Sequence, residues 1–171
     1  MRKLLMLGAI GFSGAVFCST QTLAYTNCNA QAERKWRGLT IEAFSQGDAC
    51  EDAVVTLVIR DKAGKPIWAR AHIGAQLMNF SQDSIANSKA MVEKLSGWIS
   101  GDGFMTSADK LTLDGEFPFT ASSDIDAKAL KAYRKQKLPL FCYIQGMESG
   151  NCLAVDKDGA IVELGVQSFP G

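Results

Sequence analysis

The single histidine of the chain, His72, decides which kinds of acid–base chemistry the sequence supports. A Ser-His-Asp triad or a Cys-His pair would have to use it, because the chain holds no other imidazole. His72 stands in an alternating segment, residues 66–73, in which Trp68 and Arg70 share its face. One interpretation is a half-exposed strand residue. The other is a ligand-facing donor or a pH-sensitive group, since an imidazole changes charge near neutral pH.

The three residues Trp68, Arg70 and His72 form the candidate binding surface. An exposed indole beside a guanidinium and an imidazole suits such a surface, because Trp and Arg are enriched where protein interfaces hold most of their binding energy. The alternative is that Trp68 belongs to the core, as large aromatic side chains usually do.

A second candidate site consists of carboxylates in a loop-rich region, namely Asp102, Asp109, Asp114 and Glu116. A pair of them would suit a hydrolase in which one carboxyl group is the acid and the other the base or nucleophile. That function requires an acidic cleft with at least one perturbed pKa. The alternative is a set of solvated loop side chains. The chain has no Gly-x-Ser-x-Gly motif, and we assign no catalytic residue.

Four cysteines, Cys28, Cys50, Cys142 and Cys152, follow the predicted signal peptide described below. An even number in an exported protein predicts two disulfides, with three possible connectivities. We favour Cys28–Cys50 and Cys142–Cys152, because each pair is close in sequence and the two pairs are far apart. The alternative is a metal site.

We predict no metal and no cofactor. The sequence has no Cys-x-x-Cys and one histidine, so zinc-ligand spacing is absent. The segment at Asp156 lacks the remaining ligands of a calcium loop, because Ala154 and Gly165 occupy the required positions. A glycine-rich phosphate loop and a dinucleotide fingerprint are also absent from the sequence.

Residues 1–24 have the pattern of a cleavable signal peptide. Arg2 and Lys3 precede an apolar run, and Thr22 and Ala24 stand at the −3 and −1 positions of a cut. The alternative is a membrane anchor, but the apolar run of about 14 residues is shorter than the ~20 that span a bilayer. We therefore expect residues 25–171 to be one disulfide-stabilised domain, periplasmic or secreted, without stable membrane insertion after signal cleavage.

The charge of the chain disfavours nucleic-acid binding. Eighteen Lys and Arg residues balance 18 Asp and Glu residues, and phosphate neutralisation needs clustered cations. The densest basic group, within residues 128–137, is explained by the solvated face and C-terminal end of a helix. We expect no nucleic-acid partner.

Alternation and turn residues predict the elements that position these side chains. The predicted strands are residues 35–44, 53–59, 66–73, 140–145, 152–155 and 160–166, and the predicted helices are residues 81–98 and 125–136. A short hairpin is predicted around Asp114 and Gly115, and residues 25–33 are predicted to be loose. The turns at Asp61 and Asp156 have similar sequences, which we interpret as reused hairpin chemistry.

This order of elements predicts an α+β fold, an antiparallel sheet of about five to seven strands with two helices packed on one face. The function expected is that of a non-catalytic binding or protein-interaction module of the periplasm, whose partner is an unidentified protein or small-molecule ligand in the envelope. The alternatives are a carboxylate-dependent hydrolase, which requires a polar cleft, and a structural or inhibitory envelope protein, which requires a protruding loop or strand edge.

Overall fold

Eight strands form two antiparallel sheets in the computed structural model, which describes residues 27–82, 84–101 and 106–170. The first sheet has the order β1-β2-β3-β4 and the second the order β5-β8-β7-β6. The strands are β1 (Ala30–Trp36), β2 (Leu39–Gln46), β3 (Val54–Arg60), β4 (Pro66–Ile73), β5 (Phe119–Ala121), β6 (Leu140–Ile144), β7 (Ser149–Val155) and β8 (Ile161–Ser168). The α+β class is confirmed, but the prediction of one sheet with five to seven strands is wrong.

The number of strands differs partly because the predicted strand 35–44 is in fact two strands, β1 and β2. Arg37 and Gly38 both have positive φ, +54° and +81°. Two such residues between paired strands make a tight hairpin turn whose twist matches that of the strands. Residues 30–33, predicted to be loose, therefore belong to β1 and pair with β2.

The helices also differ from the prediction. They are α1 (Met78–Ser81), α2 (Ser88–Ser100) and α3 (Ala127–Lys135). The predicted helix 81–98 is interrupted, because α2 begins only at Ser88, after the N-cap residue Asn87, whose side chain accepts a hydrogen bond from the Ala90 amide at 3.0 Å. Gly101 ends α2 with φ +67°, as predicted.

The two longer helices pack on different layers, so the prediction that they share one face is wrong. α2 covers β1 and β2 of the first sheet, and its Trp98 is buried in the core between the two sheets. α3 places Leu130 and Tyr133 against a second apolar cluster on the opposite face of the second sheet. Because both faces of the second sheet are covered, every residue of β6 is buried.

The predicted hairpin around Asp114 and Gly115 is not a pair of strands. Residues 108–110 form a short 3₁₀ helix, and β5 is the one strand among the described residues of this region. β5 pairs with β8 instead of with a neighbour in sequence. Pro118 directly precedes β5, which agrees with the predicted edge position, because proline cannot donate to a ladder.

The turns at Asp61 and Asp156 have the same hydrogen bonds, which confirms their interpretation as reused hairpin chemistry. Asp61 Oδ1 accepts from the amides of residues 63 and 65 at 2.8 and 2.9 Å. Asp156 Oδ1 accepts from the amides of residues 158 and 160, both at 2.8 Å. Gly64 and Gly159 follow with φ of +82° and +83°, a conformation that disfavours residues with a Cβ.

Both predicted disulfides are present. Cys28–Cys50 joins the segment before β1 to the turn after β2, and Cys142–Cys152 joins directly paired positions of β6 and β7. Two disulfides indicate a chain that folds in an oxidising, non-cytoplasmic compartment. In the ranges that the structure describes, every helix is too short or too polar to cross a lipid bilayer. The predicted signal peptide lies outside those ranges.

Arg34 of β1 binds the carboxyl end of α2. Its Nη1 donates to the carbonyl of Ile99 at 2.9 Å and also to that of Ser100. A cation at this end of a helix is favoured, because the last carbonyl groups have no partner within the helix and carry partial negative charge. β1 and α2 are thereby joined by a polar contact as well as by the core.

Candidate functional site

The predicted surface residues Trp68, Arg70 and His72 lie together on the face of β4 that turns toward the second sheet. Period-two alternation places them there, while the intervening residues of β4 face outward. On the second sheet they meet Tyr143 of β6 and Glu163 of β8. We call these five residues the β4 cluster.

The carboxylate of Glu163 organises the exposed end of the β4 cluster. Its Oε1 accepts hydrogen bonds from Trp68 Nε1 at 2.8 Å and from Arg70 Nη2 at 2.6 Å. The Arg70 guanidinium carbon also lies 5.9 Å from the Trp68 ring centroid, within cation–π range. Burial favours the neutral acid, but the hydrogen bonds and the positive charge outweigh it, so the pKa of Glu163 is lowered. Glu163 is therefore ionised at neutral pH.

His72 occupies the buried end of the β4 cluster. Its ring centroid lies 5.9 Å from those of Trp98 and Tyr143, both in edge-to-face geometry. Its Nε2 is buried and has no hydrogen-bond partner among the described residues. Burial and then the charge of Arg70 lower the pKa of His72, so the ring is neutral at pH 7.

Tyr143 lies at the centre of the β4 cluster and is fully buried. Its hydroxyl accepts a hydrogen bond from Asn151 Nδ2 at 3.3 Å, and its ring contacts that of Trp68 with centroids 5.9 Å apart. Burial raises the pKa of Tyr143 to about 12. The phenol is therefore neutral at every pH at which the protein is expected to work.

The hydrogen bonds of the β4 cluster decide what it can do. His72 Nε2 has no hydrogen-bond partner in the described residues, and Glu163 Oε1 accepts from Trp68 and Arg70, so this nitrogen and this oxygen are not joined as in a His–carboxylate acid–base pair. The arrangement instead presents a fixed, half-exposed ion pair beside an indole, with exposed side-chain fractions of 44% for Arg70 and 33% for Glu163.

The candidate carboxylates of the alternative hydrolase hypothesis have different surroundings. Asp114 and Glu116 are exposed, and Asp102 lies outside the described residues. Asp109 accepts a hydrogen bond from the Ser107 hydroxyl, and this bond lowers the pKa of Asp109 despite the opposing effect of desolvation. The general acid of a hydrolase needs a raised pKa. The pKa of Asp109 is lowered, so Asp109 does not fit that role.

Among the residues that the structure describes, neither a cluster of metal-ligating side chains nor the two cavities beside α1 provide a second candidate site. Within the described ranges, no three His, Cys, Asp or Glu side chains are grouped so as to hold a metal ion. Two shallow cavities flank α1, one of about 350 Å³ beside Phe80 and Ile85 and one of about 400 Å³ beside Asn79 and Gly97. Neither is lined by a residue of the β4 cluster.

The sequence did not identify Tyr143 and Glu163 as part of this site. One signal was present for Glu163, which is the only charged residue of the apolar strand β8. Comparison with known proteins adds no further residue: no family model, no curated protein and no solved structure matches the chain.

The half-buried, neutral His72 predicts a loss of stability in mild acid. The folded pKa lies below the ordinary value of 6.5, so the unfolded chain binds a proton more readily than the folded chain below that pH. The stabilisation is complete above pH 6.5 and is lost as the pH falls through the lower, folded pKa. We expect the free energy of unfolding, measured in urea, to decrease between pH 7.5 and about pH 5.5.

His72→Gln is expected to remove most of that decrease, because no other histidine titrates in this window. Glu163→Gln is the matched control. The lowered pKa of Glu163 makes its own contribution decline only below its ordinary value of 4.5, so the decrease above about pH 5.5 should persist. An unchanged pH dependence in His72→Gln would show that the imidazole is not the group responsible.

Proposed function

We propose that the protein is a non-catalytic binding or protein-interaction module, periplasmic or secreted, whose contact surface is the exposed end of the β4 cluster. The single observation that carries the proposal is the Arg70–Glu163 ion pair, which Trp68 fixes from the side through its indole N–H. Trp and Arg are the residue types most enriched among those that dominate binding energy.

The geometry favours binding over chemistry. Arg70 and Trp68 are already held in one arrangement, so a partner would not pay the full entropy of ordering two long side chains. The Glu163 carboxylate beside them already accepts hydrogen bonds from both side chains, so it supports the surface and is not free to take a proton from a substrate.

A second candidate function, that of a structural or inhibitory envelope protein, is favoured by the position of β4. It is the last strand of the first sheet, and in the described part of the chain no other strand pairs with its free edge. A free strand edge is a means of joining another chain through backbone hydrogen bonds alone.

The proposed function is tested by affinity capture from a native envelope extract, with the co-purifying proteins identified by mass spectrometry. We expect Trp68→Ala and Arg70→Ala to lose a partner that the wild type retains, each with affinity reduced about 30-fold, the effect of a hot-spot residue. Arg60→Ala is the matched control. It removes a similar ion pair, Arg60–Glu42 at 2.7 Å, from the opposite face of the same sheet.

The control variant should retain the partner. Circular dichroism of all three variants excludes losses caused by unfolding. Recovery of the same partners by every folded variant would exclude the β4 cluster as the contact surface.

A further inference from the structure

The free edge of β4 differs from the other three sheet edges. β1 carries charged and polar residues on its outward face, β5 has three residues, and β6 is buried throughout. Charged side chains, short strands and coverage are the usual means by which proteins block edge-to-edge pairing. β4 has eight residues, and its outward positions are all exposed and uncharged, namely Ile67, Ala69, Ala71 and Ile73.

The backbone N–H and C=O groups of Ile67, Ala69, Ala71 and Ile73 point toward the free edge of β4. Along an edge strand, successive residues direct these groups alternately toward the neighbouring strand and toward the open edge, in step with the alternation of the side chains between the two faces. Gly74 continues the alternation of Arg70 and His72, and its amide donates to the carbonyl of Ala53, next to β3, at 2.9 Å. Residues 68, 70 and 72 therefore bond to β3, and residues 67, 69, 71 and 73 present their backbone groups to the free edge.

The sequence of β4 is nearly the same in both directions. Around Arg70, alanine stands one residue away on each side, an aromatic ring two residues away and isoleucine three residues away. An antiparallel pair centred on Arg70 would place Ala69 opposite Ala71 and Ile67 opposite Ile73. A two-fold interface requires this kind of self-complementarity, because each patch meets a copy of itself.

We propose that the free edge of β4 binds β4 of a second copy of this chain, antiparallel and centred on Arg70, so that the two first sheets form one sheet of eight strands. The Ala69–Ala71 and Ile67–Ile73 positions on each side of the axis exchange backbone hydrogen bonds. Ile67 and Ile73, whose exposed fractions are 36% and 48%, gain apolar cross-strand contacts.

The charges around the axis are balanced. Arg70 lies opposite Arg70 of the second copy, an arrangement that alone would be unfavourable. Each guanidinium, however, is hydrogen-bonded at 2.6 Å to Glu163 of its own chain, so the axis holds two cations and two carboxylates. The pairing does not depend on the proposed function, because it requires the backbone edge of β4 and no foreign partner.

The first test uses the full chain, exported to an oxidising compartment and purified with both disulfides intact. Sedimentation velocity should show a concentration-dependent dimer with a dissociation constant on the order of micromolar, as small interfaces typically give. Under the same conditions, hydrogen exchange should protect the amides of Ala69 and Ala71 as well as those of Arg70 and His72. A monomer at about 0.5 mM with rapid exchange at Ala69 and Ala71 overturns the proposal.

The second test removes one amide from the free edge. Ala71→Pro eliminates an N–H that faces away from β3, so the β3–β4 ladder stays intact while the dimer loses bonds to the second copy. Gln31→Pro is the matched control: Cys28 donates its amide to Gly47 in the β1–β2 register, so by alternation the Gln31 amide faces the free edge of β1. We expect the dissociation constant to rise at least tenfold in Ala71→Pro only. Equal dimerisation of both folded variants would contradict pairing through β4.

The third test fixes the register. Cα atoms directly opposite each other in such a pair are about 4.5 Å apart, within disulfide range. Arg70→Cys should therefore give an intermolecular disulfide under mild oxidation. Ala69→Cys should not, because its symmetry mate is a diagonal neighbour about 8 Å away. Cross-linking through residue 69 alone, or a strand of another protein bound at this edge of a monomeric chain, would refute self-pairing about Arg70.

Discussion

Alanine at Gly165 is expected to destabilise the folded protein by about 3 kcal/mol or more, the largest effect of any single methyl group that we foresee. Gly165 has φ +142°, which residues with a Cβ rarely adopt. A Cβ at this position would lie 2.1 Å from the carbonyl oxygen of Thr120 and 2.8 Å from the Ser122 amide nitrogen. Both are backbone atoms, so relief requires β5 to separate from β8, with which it is paired.

Gly64→Ala separates steric overlap from backbone strain. Gly64 also has positive φ, +82°, but a Cβ there would have no neighbouring atom within 4 Å. Its replacement should cost about 1–2 kcal/mol, the strain of a left-handed residue alone. Urea denaturation of the wild type and both variants gives the comparison. If Gly165→Ala and Gly64→Ala lower the free energy of unfolding equally, β5 can move away from the new methyl group without loss of stability, which would contradict tight pairing of β5 and β8.

Trp98→Ala is expected to cost about 4 kcal/mol, as truncation of a buried aromatic residue usually does. Trp98 is 1% exposed, and its ring contacts those of Phe80 and Tyr143 at centroid distances of 5.5 and 5.7 Å. Its Nε1 donates to the carbonyl of Ile144 at 2.7 Å. The side chain therefore joins α2 to the second sheet, and its loss leaves both a cavity and an unpaired carbonyl.

The hydrogen bond is isolated by a milder change. Trp98→Phe keeps an aromatic ring but removes the donor to Ile144, which should cost about 1–3 kcal/mol beyond the loss of ring size. Trp36→Phe is the matched control for ring size, because the Trp36 side chain is also buried and packs against the Phe141 ring with centroids 5.7 Å apart. Denaturant unfolding should rank Trp98→Ala below Trp98→Phe, and Trp98→Phe below Trp36→Phe. If both Phe variants are equally stable, the hydrogen bond contributes nothing measurable.

The elements that the sequence predicted correctly depend on local signals. The β3–β4 hairpin alternates, and its turn and the β7–β8 turn each contain an Asp followed by a left-handed glycine. Such turns bring neighbouring strands together without help from distant residues. The two disulfides were predictable for the same reason, because each joins cysteines that are consecutive in the described chain.

The elements that were predicted wrongly depend on distant contacts or on unusual local geometry. β1 and β2 looked like one strand because a non-glycine residue, Arg37, adopts positive φ in the turn between them. β5 has only three residues and pairs with the last strand, which no local pattern indicates. The division into two sheets follows from pairing between strands that are far apart in the sequence, and local sequence patterns do not predict such pairing.

The sequence predicted three of the five residues of the β4 cluster. Alternation placed Trp68, Arg70 and His72 on one face of a strand, and the structure has them there. Tyr143 and Glu163 join them only because the second sheet packs against that face, which is a tertiary contact. Sequence reasoning also left open whether Trp68 is core or surface, and its side chain is in fact half-buried with its N–H engaged.

The order in which the cysteines pair bears on how the protein is made. Cys28 bonds to Cys50, the next cysteine along the chain, and Cys142 bonds to Cys152 in the same way. A chain oxidised from its first residue to its last would reach this pattern without exchange, so a simple thiol oxidase would suffice and a disulfide isomerase would be dispensable. The fifth cysteine, Cys18, lies in the predicted signal peptide and would otherwise be the first thiol that Cys28 meets, so this route also requires the predicted cleavage.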